Sequence, residues 1–168
     1  MKHFTNTDNP IDFPKSALKH AKGNLIDMAE AGDFNIIVQG CNCFNTMGGG
    51  IAREIAERYP EAQEADNRTT KGAYTKLGNY TVMYGKRFNI INAYTQYNMS
   101  RGDDVFEYAA FELILKKLAH QYPTCDFGLP YIGMGLAGGN KDWIIPMIEG
   151  FAEQITASGG SVTLVEFA

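Results

Sequence analysis

Two glycine-rich segments carry the residues most suited to bind an anion. Gly48-Gly49-Gly50 lies between a short apolar run and a segment of helical periodicity that begins at Ile51. Consecutive glycines lack Cβ atoms and tolerate positive φ, so their backbone N–H groups can approach an anion closely. The free amides and the dipole at the start of a helix also favour negative charge. The pattern predicts a phosphate-binding loop, and a flexible turn is the alternative.

A second segment of the same kind spans Gly133 to Gly139 and follows another apolar run. Two such loops on one edge of a sheet suit two phosphates, or one diphosphate held between them. Neither loop ends in Gly-Lys-Ser/Thr, so the sequence does not indicate nucleoside triphosphate hydrolysis. No Gly-x-Gly-x-x-Gly opens an early helix with an acidic residue about 20 positions further on, as dinucleotide-binding folds require.

The elements that must position these loops alternate along the chain. Apolar and β-branched runs predict strands at 34–38, 80–84, 88–94, 126–132 and 161–167. Helical spacing predicts helices at 51–59, 60–65, 104–121 and 142–157, the last with Trp143 facing inward. Strands that alternate with helices predict an α/β fold with a mainly parallel sheet covered on both faces. Ligands of such sheets lie beyond the carboxyl ends of the strands, where both glycine loops fall.

Length and composition favour one soluble domain in a reducing compartment. The chain has 168 residues and a formal net charge of −4, which argues against membrane binding and broad nucleic-acid binding. Its three cysteines include no clustered Cys/His pair, so we predict neither disulfides nor a metal site. No signal peptide or transmembrane run is evident, and we expect a cytoplasmic protein. Residues 1–16, with Pro10 and Pro14, are interpreted as an N-terminal extension before a domain at 17–168.

Several strings of residues carry a resemblance to a known family. They include Gly40-Cys41-Asn42-Cys43, Met47-Gly48-Gly49-Gly50-Ile51-Ala52, Arg58-Tyr59-Pro60-Glu61-Ala62, Leu77-Gly78, residues 91–96 and residues 129–139. Together they resemble the macro domain family, and in particular the branch of yeast-type ADP-ribose 1''-phosphate phosphatases and phage macro domain proteins. The resemblance covers roughly residues 20 to 167. It implies a three-layer α/β/α fold with a mixed, mostly parallel central sheet and helices on both faces.

The resemblance also implies a ligand and the residues that hold it. The partner would be ADP-ribose or ADP-ribose 1''-phosphate, bound by a monomer that needs no cofactor. Asn24 stands where many members place an aspartate that contacts the adenine amino group, and its carbonyl oxygen can accept the same hydrogen bond. Leu25 is the next ligand-binding candidate, and Asn42 matches the asparagine that orients the distal ribose. Phe167 is a candidate for packing on adenine. The first phosphate loop corresponds to Gly48, Gly49, Gly50 and Ile51. The second corresponds to Ile132, Gly133, Met134, Gly135, Leu136, Ala137 and Gly138.

The residues that would perform a chemical step are less evident. Yeast-type relatives have a histidine where this chain has Gln39, and a hydrolase branch has a lysine where this chain has Gln96. We therefore take Asn42 and Asp142 as the candidate catalytic residues, with Asp142 as general base or, alternatively, only as the N-cap of a helix. Cys43 is interpreted as a small buried or loop thiol and not as a nucleophile.

Three functions follow from these features. The leading hypothesis is a protein that binds ADP-ribose and hydrolyses the phosphate of ADP-ribose 1''-phosphate. The second is a non-catalytic ADP-ribose-binding module, because Gln39, Gln96 and Ala137 replace groups that relatives use. The third is an ADP-ribosyl hydrolase that acts on a modified protein or nucleic acid.

Overall fold

A six-stranded mixed sheet forms the centre of the fold in the computed structural model, which describes residues 16–99, 104–135 and 137–168. Its strands are β1 (Lys19–Gly23), β2 (Ile36–Cys41), β3 (Tyr80–Met83), β4 (Asn89–Tyr94), β5 (Asp126–Leu129) and β6 (Ser161–Phe167). They lie in the order β1-β6-β5-β2-β4-β3. Every neighbouring pair is parallel except β3 and β4, which form an antiparallel pair at one edge.

Helices cover both faces of this sheet. They are α1 (Leu25–Glu30), α2 (Gly50–Arg58), α3 (Pro60–Asn67), α4 (Tyr108–Gln121) and α5 (Lys141–Ala157), with a 3-10 turn at Tyr74–Lys76. Because side chains alternate along a strand, Ile36 and Val38 of β2 pack with α4 and α5, whereas Ile37 packs with α1, α2 and α3. The predicted three-layer α/β/α architecture with a mixed, mostly parallel sheet is confirmed.

The structure adds two elements near the amino end that the sequence pattern does not predict. Strand β1 has the sequence Lys-His-Ala-Lys-Gly and pairs only with β6, so as an edge strand it needs no apolar run. Helix α1 has only six residues, too few to show helical periodicity. Strand β5 ends at Leu129, three residues before the predicted end, because Pro130 has no N–H to donate.

Trp143 corrects one expectation about the core. The prediction places it inward, but 64% of its surface is exposed and its ring lies 5.5 Å from that of Tyr108, measured between centroids. The buried face of α5 is formed by Ile144, Ile148 and Ile155, which recur at helical spacing. Trp143 lies one residue before this face and therefore points away from it.

The described residues bear on the remaining expectations only in part. Residues 1–15 of the predicted N-terminal extension lie outside the described ranges, so the domain boundary at residue 17 stays a prediction. Within the described part of the chain, no helix combines the length and the apolar character needed to cross a membrane.

Candidate functional site

The parallel strands end together at one edge of the sheet. Strands β2, β4 and β5 end at Cys41, Tyr94 and Leu129, and the parallel pair β1 and β6 ends with Gly23 opposite Phe167. The loops that follow these strands therefore meet at the carboxyl edge, which is the usual ligand-binding edge of such a sheet. Both predicted glycine loops follow strands that end there.

The first glycine loop leads directly into α2. Gly49 is the N-cap residue of this helix and Gly50, with φ of +56°, is its first residue. The first amides of an α-helix have no partner inside the helix, and Gly49 has no side chain that could cap them. A Cβ added at Gly48, Gly49 or Gly50 would meet no described atom within 4 Å. These amides consequently border open space in which an anion can be bound.

Asn42 shapes the first loop from its beginning. Its Nδ2 donates to Thr46 Oγ1 at 2.7 Å, and its Oδ1 accepts a hydrogen bond from the backbone N of Phe44 at 2.8 Å. The side chain predicted to orient a distal ribose thus also folds the loop upon itself. Its contact with a ribose, and its part in a chemical step, stay predictions.

A buried lysine side chain also holds the first loop in place through hydrogen bonds. Lys76 is 7% exposed, and its Nζ donates to Cys43 O at 3.0 Å and to Asn45 Oδ1 at 2.5 Å. Asn45 has φ of +58°, an unusual conformation for a residue other than glycine. Its Nδ2 also donates to Thr69 O at 3.1 Å. The ammonium group therefore fixes a strained turn of the loop, a role that sequence reasoning missed because Lys76 lies 31 residues from Asn45.

The second glycine loop is closed by its own backbone. Gly139 N donates to Gly133 O at 2.6 Å. Gly133 has φ of +74°, and a Cβ there would lie 2.3 Å from Cδ1 of Phe106. Because both the conformation and the contact exclude a side chain, glycine is required at this position. Ala137 is buried in the core below the loop, and Leu136 lies outside the described residues.

An apolar cavity of about 590 Å³ lies beside the first loop, at the ends of β1 and β6. One wall comes from the starts of α1 and α2 and includes Leu25, Gly50 and Ile51. The opposite wall comes from Pro130, Tyr131 and the end of β6. Phe167, predicted to pack on adenine, is 79% exposed and lines this cavity. Of the predicted ligand-binding residues, the structure brings Leu25, Gly50, Ile51 and Phe167 together here.

Asn24 lies next to the cavity with both ends of its amide engaged. Its Oδ1 accepts from Asp27 N at 2.9 Å and so caps α1. Its Nδ2 donates to Glu54 Oε1 and Oε2, both at 3.1 Å. The oxygen predicted to contact an adenine is thus already a helix cap, and its contact with a base stays a prediction. Glu54 lines the cavity and was not among the predicted residues.

Asp142 is placed differently from the other candidates. It is exposed in the first turn of α5 and lines a groove between α4 and α5 together with Tyr108 and Trp143. The alternative that Asp142 caps this helix is wrong, because the cap is Asn140, whose Oδ1 accepts from Asp142 N at 2.9 Å. A catalytic role of Asp142 stays a prediction.

Neither cysteine of the first loop region is set up as a nucleophile. Cys41 and Cys43 are buried, and burial raises the pKa of both thiols, with a further increase from the nearby carboxylate of Asp66. Lys76 lowers the pKa of both thiols, but burial is the largest effect on each and the net change is an increase. Both groups therefore stay protonated at neutral pH. The interpretation of Cys43 as a buried thiol is confirmed.

Gln39 occupies the position of the histidine in yeast-type relatives and is also buried. Its Nε2 donates to Asn92 Oδ1 at 2.9 Å, which links the centres of β2 and β4. Asn92 Nδ2 continues this chain of polar contacts to Thr81 Oγ1 at 3.0 Å. Gln39 therefore joins two strands within the sheet and does not line the cavity, and its amide has no titratable group that could act as an acid or a base.

Comparison with known proteins finds relatives in sequence and in structure. One relative is a protein of Enterobacteria phage T4, described as an uncharacterized 17.5 kDa protein in the tk-vs intergenic region. It is 32% identical to this chain over 145 residues, which cover 82% of this chain and 92% of the relative. An ADP-ribose 1''-phosphate phosphatase of Saccharomyces cerevisiae (strain YJM789) is 37% identical over 49 residues, 29% of this chain and 27% of the relative. No protein-family model matches the chain.

Solved structures share the whole fold at low sequence identity. The macrodomain of Mycobacterium tuberculosis DarG matches with a TM-score of 0.69 at 18% identity, over 88% of this chain and 96% of that one. A Trypanosoma brucei macrodomain in complex with ADP-ribose matches with a TM-score of 0.64 at 12% identity, over 90% of this chain and 63% of that one.

We predict that Lys76→Met destabilises the protein by about 2 kcal/mol. The substitution leaves the oxygen atoms of Cys43 and Asn45 without the buried ammonium donor, while methionine fills much of the same volume. Urea denaturation measures the free energy of unfolding. Lys71→Met is the matched control, because Lys71 is exposed and its replacement should cost less than about 0.5 kcal/mol. Equal stability of the two variants would contradict the anchoring role of Lys76.

Proposed function

Because the chain belongs to the macro domain family, we propose that it binds ADP-ribose at the carboxyl edge of its sheet. The observation that carries the proposal is the junction of two surfaces, an apolar cavity and the open amide groups at the start of α2, which meet at Gly50 and Ile51. ADP-ribose has two parts that match these surfaces, because it contains an aromatic base that suits the apolar cavity and a charged diphosphate that suits the amide groups.

The proposed ligand lies along this edge in a defined direction. Its base occupies the cavity, between Leu25 and Phe167. Its diphosphate accepts hydrogen bonds from the amides that begin α2, and the second glycine loop covers the other side. The distal ribose then extends toward Asn42. The backbone supplies the donors, so the bound charge needs no basic side chain, which agrees with a net charge of −4.

The relatives support this proposal without deciding it. The Trypanosoma brucei macrodomain is described as a complex with ADP-ribose, and at 12% identity it shows the fold that the two proteins share. The proposal for this chain therefore depends on its own cavity and loops.

We predict that Gly49→Glu lowers the affinity for ADP-ribose at least about 100-fold, because it places a carboxylate against the proposed diphosphate site. The fold should tolerate the substitution, since Gly49 has an extended backbone with φ of −145° and an added Cβ meets no described atom within 4 Å. Isothermal titration calorimetry measures the affinity.

Gly150→Glu is the matched control for this experiment. Gly150 is exposed on α5, where an added Cβ also meets no described atom within 4 Å, so the same charge is added away from the proposed site. The control should bind as the unmodified protein does. If the unmodified protein binds no ADP-ribose, or if both variants bind it equally well, the proposed site is wrong.

A second candidate function is hydrolysis of the phosphate of ADP-ribose 1''-phosphate. The favouring observation is the 49-residue similarity to the phosphatase of Saccharomyces cerevisiae. Removal of a phosphate needs donors for the developing charge, which the loop amides supply, and a general base, for which Asp142 is the candidate, while Asn42 is the candidate for orienting the ribose. If neither acts, the protein is a binding module without turnover.

Phosphate release from ADP-ribose 1''-phosphate tests this second function. We predict that Asp142→Asn lowers the release rate at least about 100-fold and leaves ADP-ribose affinity unchanged, because it removes only the proton acceptor. Glu153→Gln, an exposed residue of the same helix, should keep the unmodified rate. Release by the unmodified protein that does not exceed that of Gly49→Glu would contradict catalysis, and an unchanged rate in Asp142→Asn would contradict the role of Asp142.

A further inference from the structure

A single carboxylate is held in place against the wall of the apolar cavity. Glu54 lies four residues after Gly50 on α2, so the two residues share one face of the helix, and both line the cavity. The other residues of that wall, Leu25 and Ile51, are apolar. A charged group in this setting contributes little to packing, and its side chain is about one-third exposed.

Two neighbours determine where this carboxylate points. Asn24 Nδ2 donates to both of its oxygens at 3.1 Å. The amide of Asn24 cannot be reversed without loss, because its Oδ1 must accept from Asp27 N to cap α1. On the other side, Arg58 Nη1 lies 3.9 Å from Glu54 Oε2 and 2.8 Å from Asp27 Oδ1. Glu54 is thus oriented by Asn24, which also caps α1, and by Arg58, which also pairs with Asp27.

The carboxylate keeps capacity for a ligand in this arrangement. An ionised carboxylate has about four acceptor positions and no donor. Asn24 occupies one position on each oxygen, which leaves further lone pairs beside the cavity. A group that lies there must therefore donate a hydrogen bond, and a group that presents only lone pairs is repelled.

We propose that Glu54 selects adenine over purines that carry an oxygen at C6. The inference rests on the proposed function, which places the base of ADP-ribose in this cavity. Adenine presents an amino group at C6, which donates to the carboxylate. Hypoxanthine presents a carbonyl oxygen at the same ring position, and its lone pairs face those of Glu54. Glu54 is a specificity-determining residue in this account.

Another carboxylate near the cavity is a weaker candidate. Glu166 also lines the cavity, but its side chain is 51% exposed and its Oε2 lies 3.4 Å from Lys22 Nζ at the surface. Neither the described backbone nor a buried amide orients it, so it offers no fixed acceptor. Its substitution provides a direct comparison with that of Glu54.

Binding of ADP-ribose and of its hypoxanthine analogue, inosine diphosphate ribose, tests the proposal by calorimetry. The unmodified protein should bind ADP-ribose at least about 10-fold more tightly, the effect of one well-placed hydrogen bond. In Glu54→Gln this preference should fall to about one or reverse. Glutamine can accept from Asn24 through Oε1 and turn its NH₂ group toward the carbonyl oxygen of hypoxanthine.

The control is Glu57→Gln, on the same helix, where the glutamate is exposed and paired with Arg53 at 3.2 Å. It should keep the preference of the unmodified protein. Equal binding of both ligands by the unmodified protein overturns the selection by Glu54 and leaves ADP-ribose binding intact. A preference that disappears in Glu166→Gln but persists in Glu54→Gln also overturns it. Binding of neither ligand overturns the proposed function together with this inference.

Discussion

The parallel pairing of β2 with β4 on one side and β5 on the other is the constraint on which the site depends. Ile36 lies opposite Asn89 in β4 and Phe127 in β5, so three strands run in the same direction through the middle of the sheet. Buried side chains cover both faces of β2, and its register with β4 is fixed by the buried hydrogen bond from Gln39 to Asn92, which lie opposite each other and would separate on any shift. The loops that follow these strands must therefore meet at one edge.

Side chains from distant parts of the chain then give the loops their shape. Lys76 holds the turn at Asn45, and the ring of Phe106 packs against the backbone of Gly133. Neither Lys76 nor Phe106 lines the cavity, yet each fixes part of one of the two glycine loops at the same edge of the sheet. The site is thus preformed by contacts outside it, which lowers the cost of ordering the loops when a ligand binds.

Sequence patterns within one short segment predicted the strands and loops that such a segment determines by itself. The β-branched run that contains Ile36 predicted a buried strand, and Gly48-Gly49-Gly50 before a helical pattern predicted the loop at the start of α2. Strand β1 could not be predicted in this way, because its residues are polar and it pairs with β6, which lies more than 130 residues further along the chain. Helix α1 is too short to show a period.

The polar contacts of the site were harder to predict for the same reason. Lys76 meets Asn45 and Glu54 meets Asn24 only after the chain has folded, across 31 and 30 residues. One signal for Glu54 was present, since a residue four positions after Gly50 must share its helix face. Trp143 shows the opposite case, in which an apolar residue at a helix start lies outside the buried face because that face begins at Ile144.

A crystal structure of the protein with ADP-ribose would show whether the cavity and the start of α2 form one ligand site. We expect the base in the cavity between Leu25 and Phe167, with diphosphate oxygens within about 3.2 Å of backbone nitrogens at the start of α2. ADP-ribose bound elsewhere, for example in the groove beside Trp143, would contradict it, as would a diphosphate turned away from both glycine loops.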